Sequence, residues 1–211
     1  ATAGWSATLS GVRWAHLAGR VAGSEVGYYF PAAGTLQAAR EARTGAWSEI
    51  NTGGSATPIT RNYLTLWFDH GANPANASYA YTLLPGRTAE QVAEYASHPQ
   101  ITVLENTPDA QAVRESTRGV TAANFWNDRR ATAGGITVDR KACVLVRGDG
   151  DTLEVAVSDP TQTNPASITV ELTSPARAMI SVDAGITVTQ LTPFVRLSVD
   201  VGTARGKTFR A

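Results

Sequence analysis

The chain has 211 residues, 43% of them apolar, enough to bury one large core or two modest ones. Its 18 basic and 18 acidic residues cancel, so bulk electrostatics draws it neither to nucleic acid nor to an anionic membrane. Cys143 stands alone, which excludes an internal disulfide, and its setting in ACVLV reads as a small buried hydrophobe. No run is long and apolar enough to span a bilayer. The opening ATAGWSATLS carries neither an initiator Met nor a basic leader region, so the chain reads as a mature or excised piece. Lys141 and Lys207 are the only lysines, and Ala, Thr, Gly and Arg abound, as in a GC-rich bacterial gene.

Short runs rich in Val, Ile, Thr and aromatics recur between Gly, Pro, Asn and Asp clusters, the pattern of an antiparallel all-β protein. In chain order the first strand is EVGYYF, followed by TLQAAREAR, a helical candidate closed by Gly45. NYLTLWF and SYAYTLL then flank the irregular loop DHGANPANAS. The segment TAEQVAEYAS predicts a helix, because Thr88 and Gln91 have capping-box spacing and Val92, Tyr95 and Ala96 share a face, with His98-Pro99 ending it. After the strand ITVLE comes ENTPDAQAVRESTRG, polar and turn-rich, which divides the chain into two β-units, 1–105 and 106–211. The remaining strands are KACVLVR, TLEVAVS, SITVELT, ITVTQL and FVRLSVDV. In the second of these Leu153, Val155 and Val157 fall on one face, and GDGD (148–151) before it reads as a hairpin turn.

From the residues alone, the most suggestive chemistry lies in WFDHGANPANASYAYTLLPG, where Asp69, His70, Tyr79 and Tyr81 could supply an oriented imidazole and a phenol for proton transfer. The competing reading makes Asp69 and His70 ties of a turn, with Tyr79 and Tyr81 side by side because they are two apart. His16 and His98 have no ligand at metal spacing, so no metal site is expected. SDPTQ (158–162) reads as a strand exit and turn. Asn76-Ala77-Ser78 matches a glycosylation acceptor, which is idle in a bacterial protein. Trp5, Trp14 and Trp47 could stack on sugar rings, although tryptophans in β-domains are more often buried.

Taken together, VGYYFP (26–31), RTGAWSEIN (43–51), LWFDHG (66–71), YAYTLLPG (79–86), NTPDAQAV (106–113), NFW (124–126) and SDPTQ resemble, in order and spacing, the last third of polysaccharide lyase family 8, the hyaluronate, chondroitin AC and xanthan lyases. The resemblance implies the end of an antiparallel β-supersandwich over 1–105 and a small C-terminal β-sandwich over 106–211. It implies as partners an acidic polysaccharide and an upstream α/α-toroid domain, an extracellular setting, and no cofactor, metal, nucleic acid or membrane. In this family the eliminating Asn, His, Tyr and Arg lie on the helical domain, so no catalytic residue carries over to this chain, substrate-binding residues stay unassigned, and His70 and Tyr79 become supports of the fold. The alternatives are a free-standing carbohydrate-binding module and an autonomous lyase using His70 and Tyr79.

Overall fold

Runs of β-formers punctuated by turn residues fold here into antiparallel sheets. The computed structural model describes residues 4–211, in two units, Ala1–His98 and Pro99–Ala211. In the first unit β1 (Trp5–Leu17), β2 (Val26–Gly45), β3 (Ile59–Trp67) and β4 (Thr82–Pro85) make one antiparallel sheet. β2 is its spine. Along one edge it pairs with β1; the other edge is shared, β3 taking Gln37–Gly45 and β4 taking Val26–Tyr29. Residues 68–81 connect β3 to β4, and there Phe68 meets Phe30 edge-on with ring centroids 5.5 Å apart.

Thr35–Arg43, expected as a helix, is part of the 20-residue strand β2. Its Leu, Gln, Ala and Arg residues favour a helix, but by less than about 0.7 kcal/mol per residue. Against that small preference, Leu36 and Ala38 are buried two apart on one face, and the segment is hydrogen-bonded to β1 and β3 at once. Sheet pairing on both edges overrides local propensity. SYAYTLL joins the sheet later than expected, since its ladder begins at Thr82.

The helix α1 (Ala89–Ser97) forms as its sequence predicts. The Thr88 amide donates to Gln91 Oε1 at 3.1 Å, and the Gln91 amide donates to Thr88 Oγ1 at 3.4 Å. Its buried Val92 sits on Gly27 of β2, so closely that a Cβ there would fall 2.2 Å from Val92 Cγ2. Tyr95 meets Tyr29 edge-on at 5.5 Å.

The second unit contains β5 (Ile101–Asn106), β6 (Ala110–Glu115), β7 (Val120–Phe125), β8 (Ala131–Ala133), β9 (Ile136–Val138), β10 (Ala142–Asp149), β11 (Thr152–Ser158), β12 (Ser167–Leu172), β13 (Ile186–Gln190), β14 (Val195–Asp200) and β15 (Phe209–Arg210). One sheet runs β15-β11-β10-β7-β6-β5 and the other β13-β14-β12-β9-β8. Every second residue of the inner strands is buried: Val155 and Val157 on one sheet, Ile168, Val170 and Leu172 on the other, all in one apolar cluster. This is a β-sandwich core. The polar stretch expected as a turn-rich connection contains β6, whose Ala110 and Ala112 are buried and which pairs with β5 and β7. The turn at 148–151 forms as read: Asp149 pairs with Thr152, and Gly150 takes the positive φ of +59° that a two-residue hairpin loop needs. Cys143 is half-buried, and burial, with a smaller contribution from the Asp159 charge, pushes its thiol up.

Candidate functional site

The residues singled out for proton transfer lie in the loop between β3 and β4. Asp69 is engaged by the backbone, its Oδ1 accepting from the Gly71 amide at 2.9 Å. Gly71 itself has positive φ, which lets the chain reverse there. His70 does not receive that carboxylate. It lies in a ladder of near-parallel rings instead: Phe68 and His70 are 6.4 Å apart, His70 and Tyr79 6.3 Å, and Tyr79 and Tyr81 6.4 Å. Phe68 anchors the ladder to Phe30, while Tyr79 and Tyr81 are exposed. The rings border an apolar groove of about 630 Å³ whose floor includes Tyr28, Leu36 and Leu66. Such a surface packs against apolar matter or a flat ligand; it lacks the oriented acid and base of a proton-transfer dyad.

The other histidines serve locally. His16 Nε2 is 3.0 Å from the Arg87 carbonyl, and His98 Nδ1 is 3.1 Å from Glu94 Oε1 one helical turn earlier. Among the described residues, no three His, Cys, Asp or Glu side chains gather where a metal could be held.

SDPTQ has a structural role with a clear cause. Asp159, 2% exposed, accepts at Oδ1 from the Thr161 amide (2.9 Å) and hydroxyl (2.6 Å), and at Oδ2 from the Asn164 amide (2.9 Å). Burial opposes its ionisation and is the largest single influence, but the hydrogen bonds from Thr161, Asn164 and Gln162 together outweigh it and hold the carboxyl below its ordinary range. On the second sheet Glu171 takes Arg130 at 2.6 Å and Arg196 at 2.9 Å. The Arg130 hydrogen bond is the main reason its carboxyl also titrates low.

The tryptophans depart from expectation. Trp5, Trp14 and Trp47 are exposed rather than buried, and Trp67 joins them. Among the described residues of the first unit the buried hydrophobic ones are Tyr29, Phe30, Leu36, Ala38 and Val92, so the sheet encloses little on its own. Sequence reading also passed over Arg61 and Tyr63, which lie beside Trp47 in a second groove. The alternation of polar and apolar residues along NYLTLW was the available sign.

An open, aromatic-rich antiparallel sheet followed by a closed β-sandwich marks the class: an all-β chain of two antiparallel units. The comparisons with known proteins are specific. Residues 1–96 match the family model for the polysaccharide lyase family 8 super-sandwich domain, and residues 102–168 match the family's C-terminal beta-sandwich domain. The chain belongs to polysaccharide lyase family 8. It is 50% identical to the xanthan lyase of Bacillus sp. (strain GL1), over 99% of this chain and 23% of that protein. It is 36% identical to the hyaluronate lyase of Thermasporomyces composti, over 98% of this chain and 26% of that protein. The solved structure of a Paenibacillus xanthan lyase superimposes with a TM-score of 0.91 at 46% identity, over 99% of this chain and 20% of that one. The chain thus spans about a quarter of the length of the curated relatives it matches, and corresponds to their C-terminal portion.

Proposed function

We propose that this chain is the C-terminal supporting region of a longer, secreted polysaccharide lyase that cleaves an acidic polysaccharide of the xanthan, hyaluronan or chondroitin kind by β-elimination. The observation that carries the reading is the match along almost the whole chain to lyases about four times its length, at up to 50% identity. In this reading the first unit is the end of the supersandwich and the second the terminal sandwich. The first unit's thin core and its aromatic groove support a buttressing role. A sheet that buries so little by itself is stabilised by apolar surface laid against it, here supplied by the upstream sheets and the toroid domain. Proton abstraction beside the uronate carboxylate and protonation of the departing oxygen then belong to the upstream part, and no residue of this chain takes part in them.

The test is ultraviolet absorbance of the unsaturated uronate formed by the gene's full-length product on xanthan, hyaluronan and chondroitin. Absorbance rising on at least one of them is expected. No chromophore on any of the three would sink the proposal.

A further inference from the structure

RTGAWSEIN does not owe its largest side chain to packing. Glu49 caps the short turn Trp47–Glu49 by accepting from the Ala46 amide at 3.1 Å, and Asn51 Oδ1 accepts from the Gly53 amide at 3.0 Å. Trp47 nevertheless leaves 58% of its surface in solvent. The strands on either side of this connection show what it faces. Pairing sets Arg43 opposite Arg61, Glu41 opposite Tyr63 and Ala39 opposite Thr65, so these side chains share one face of the β2–β3 ladder, with Leu64 and Leu66 on the other. On that polar face Arg61, Tyr63, Thr65 and Trp67 are all exposed, whereas Leu64 and Leu66 are half-buried. Trp47 folds back beside this row, and with Arg43, Arg61 and Tyr63 it lines a groove of about 790 Å³.

The charges are unequally engaged. Arg43 is ion-paired with Glu41 at 2.6 Å. Arg61 spends one donor on the Thr60 carbonyl at 2.9 Å, and no carboxylate among the described residues lies within ion-pair distance of it. A guanidinium with spare donors beside two exposed rings suits a ring-shaped ligand that is apolar on one face and carries a carboxylate at its edge. The C–H face of a pyranose stacks on an indole or phenol, and a planar guanidinium takes a carboxylate through paired hydrogen bonds.

We infer that the groove formed by Arg43, Trp47, Arg61 and Tyr63 binds an acidic sugar residue of a polysaccharide. The inference rests on the lyase reading for the class of its ligand, but its test is independent of elimination. The chain is titrated calorimetrically with uronate-containing tetrasaccharides prepared from hyaluronan and from xanthan, and with the same sugars after reduction of the carboxyl groups. Saturable binding of at least one acidic tetrasaccharide is expected. Trp47→Ala and Arg61→Gln should each weaken it about tenfold or more, the loss of one stacking or charge-assisted contact. Carboxyl reduction should weaken the wild type and leave Arg61→Gln little changed. Unaltered circular dichroism of both variants separates lost contact from lost fold, and Arg61→Gln, on an exposed strand face, is the variant that leaves packing alone. No saturable binding of either acidic tetrasaccharide, or binding that survives both substitutions, overturns the inference. Either result can occur while the full-length product still generates unsaturated uronate, so the site and the lyase reading fail separately.

Discussion

Replacing Asp159 by alanine takes an acceptor away from three donors at once: the Thr161 amide, the Thr161 hydroxyl and the Asn164 amide. The hydroxyl can turn to water or to Thr163, 2.7 Å away, so it is lost cheaply. The Thr161 amide belongs to an exposed residue and can bond to water, but Asn164 is buried and its amide cannot. A buried donor left without an acceptor costs about 1–3 kcal/mol, so the loss amounts to roughly 2 kcal/mol. For a domain of this size that is a fall in melting temperature on the order of 10 °C. The assay is a thermal melt followed through the methyl signals of Val157 and Ile168, core residues of the same unit. Asp151→Ala, at the exposed hairpin tip, serves as the control. Because the native carboxyl is held low, its stabilisation is fully present above the ordinary carboxylate range and is lost as pH falls through the native value; the difference between wild type and variant should therefore narrow in acid. A shift no larger than that of Asp151→Ala would refute the view that this carboxylate holds the loop.

Three further outcomes follow from other parts of the fold. Gly27→Ala forces a methyl group against Val92 and should destabilise the first unit by about 1–3 kcal/mol, an overpacking cost read from its urea midpoint. Trimming the neighbour in Gly27→Ala/Val92→Ala should recover part of that loss. Glu171→Gln should lower the melting temperature near neutral pH. Because Arg130 and then Arg196 depress the native carboxyl, that deficit should shrink in acid, as pH falls through the lowered native value and the wild type also loses the charge. Cys143, its thiol raised by burial and half-covered, should react with a disulfide reagent more slowly than a free cysteine at neutral pH, and the rate should climb only in alkaline solution. A rate equal to that of the free amino acid would contradict its placement.

What could be read from the residues depended on how large the buried side chains are. TLEVAVS declares its inner face because Val155 and Val157 are bulky and alternate with polar neighbours. β6 buries Ala110 and Ala112, whose small side chains leave almost no hydrophobic signal, so the strand is hidden in a polar-looking stretch. β2 misled for a different reason. Leu36 and Ala38 sit among good helix formers, and what makes them a strand is pairing with β1 and β3, many residues away. At the candidate sites, Asp69, His70, Tyr79 and Tyr81 were visible as a cluster of useful side chains. Their arrangement as a ring ladder, with Asp69 turned to a backbone amide, depends on Phe68 and Phe30 meeting across the sheet. Trp47 was visible as an aromatic in a distinctive segment. Its association with Arg61 and Tyr63 arises only from the β2–β3 register, which no local pattern reveals.

The proposed division of labour between this chain and the longer gene product is tested most directly by the unsaturated-uronate absorbance of the 211-residue chain alone, run beside the full-length product on the same three polysaccharides. The account predicts absorbance from the longer protein and none from this chain. Absorbance generated by this chain alone, and abolished in His70→Ala, would contradict it and make the ring ladder an active site.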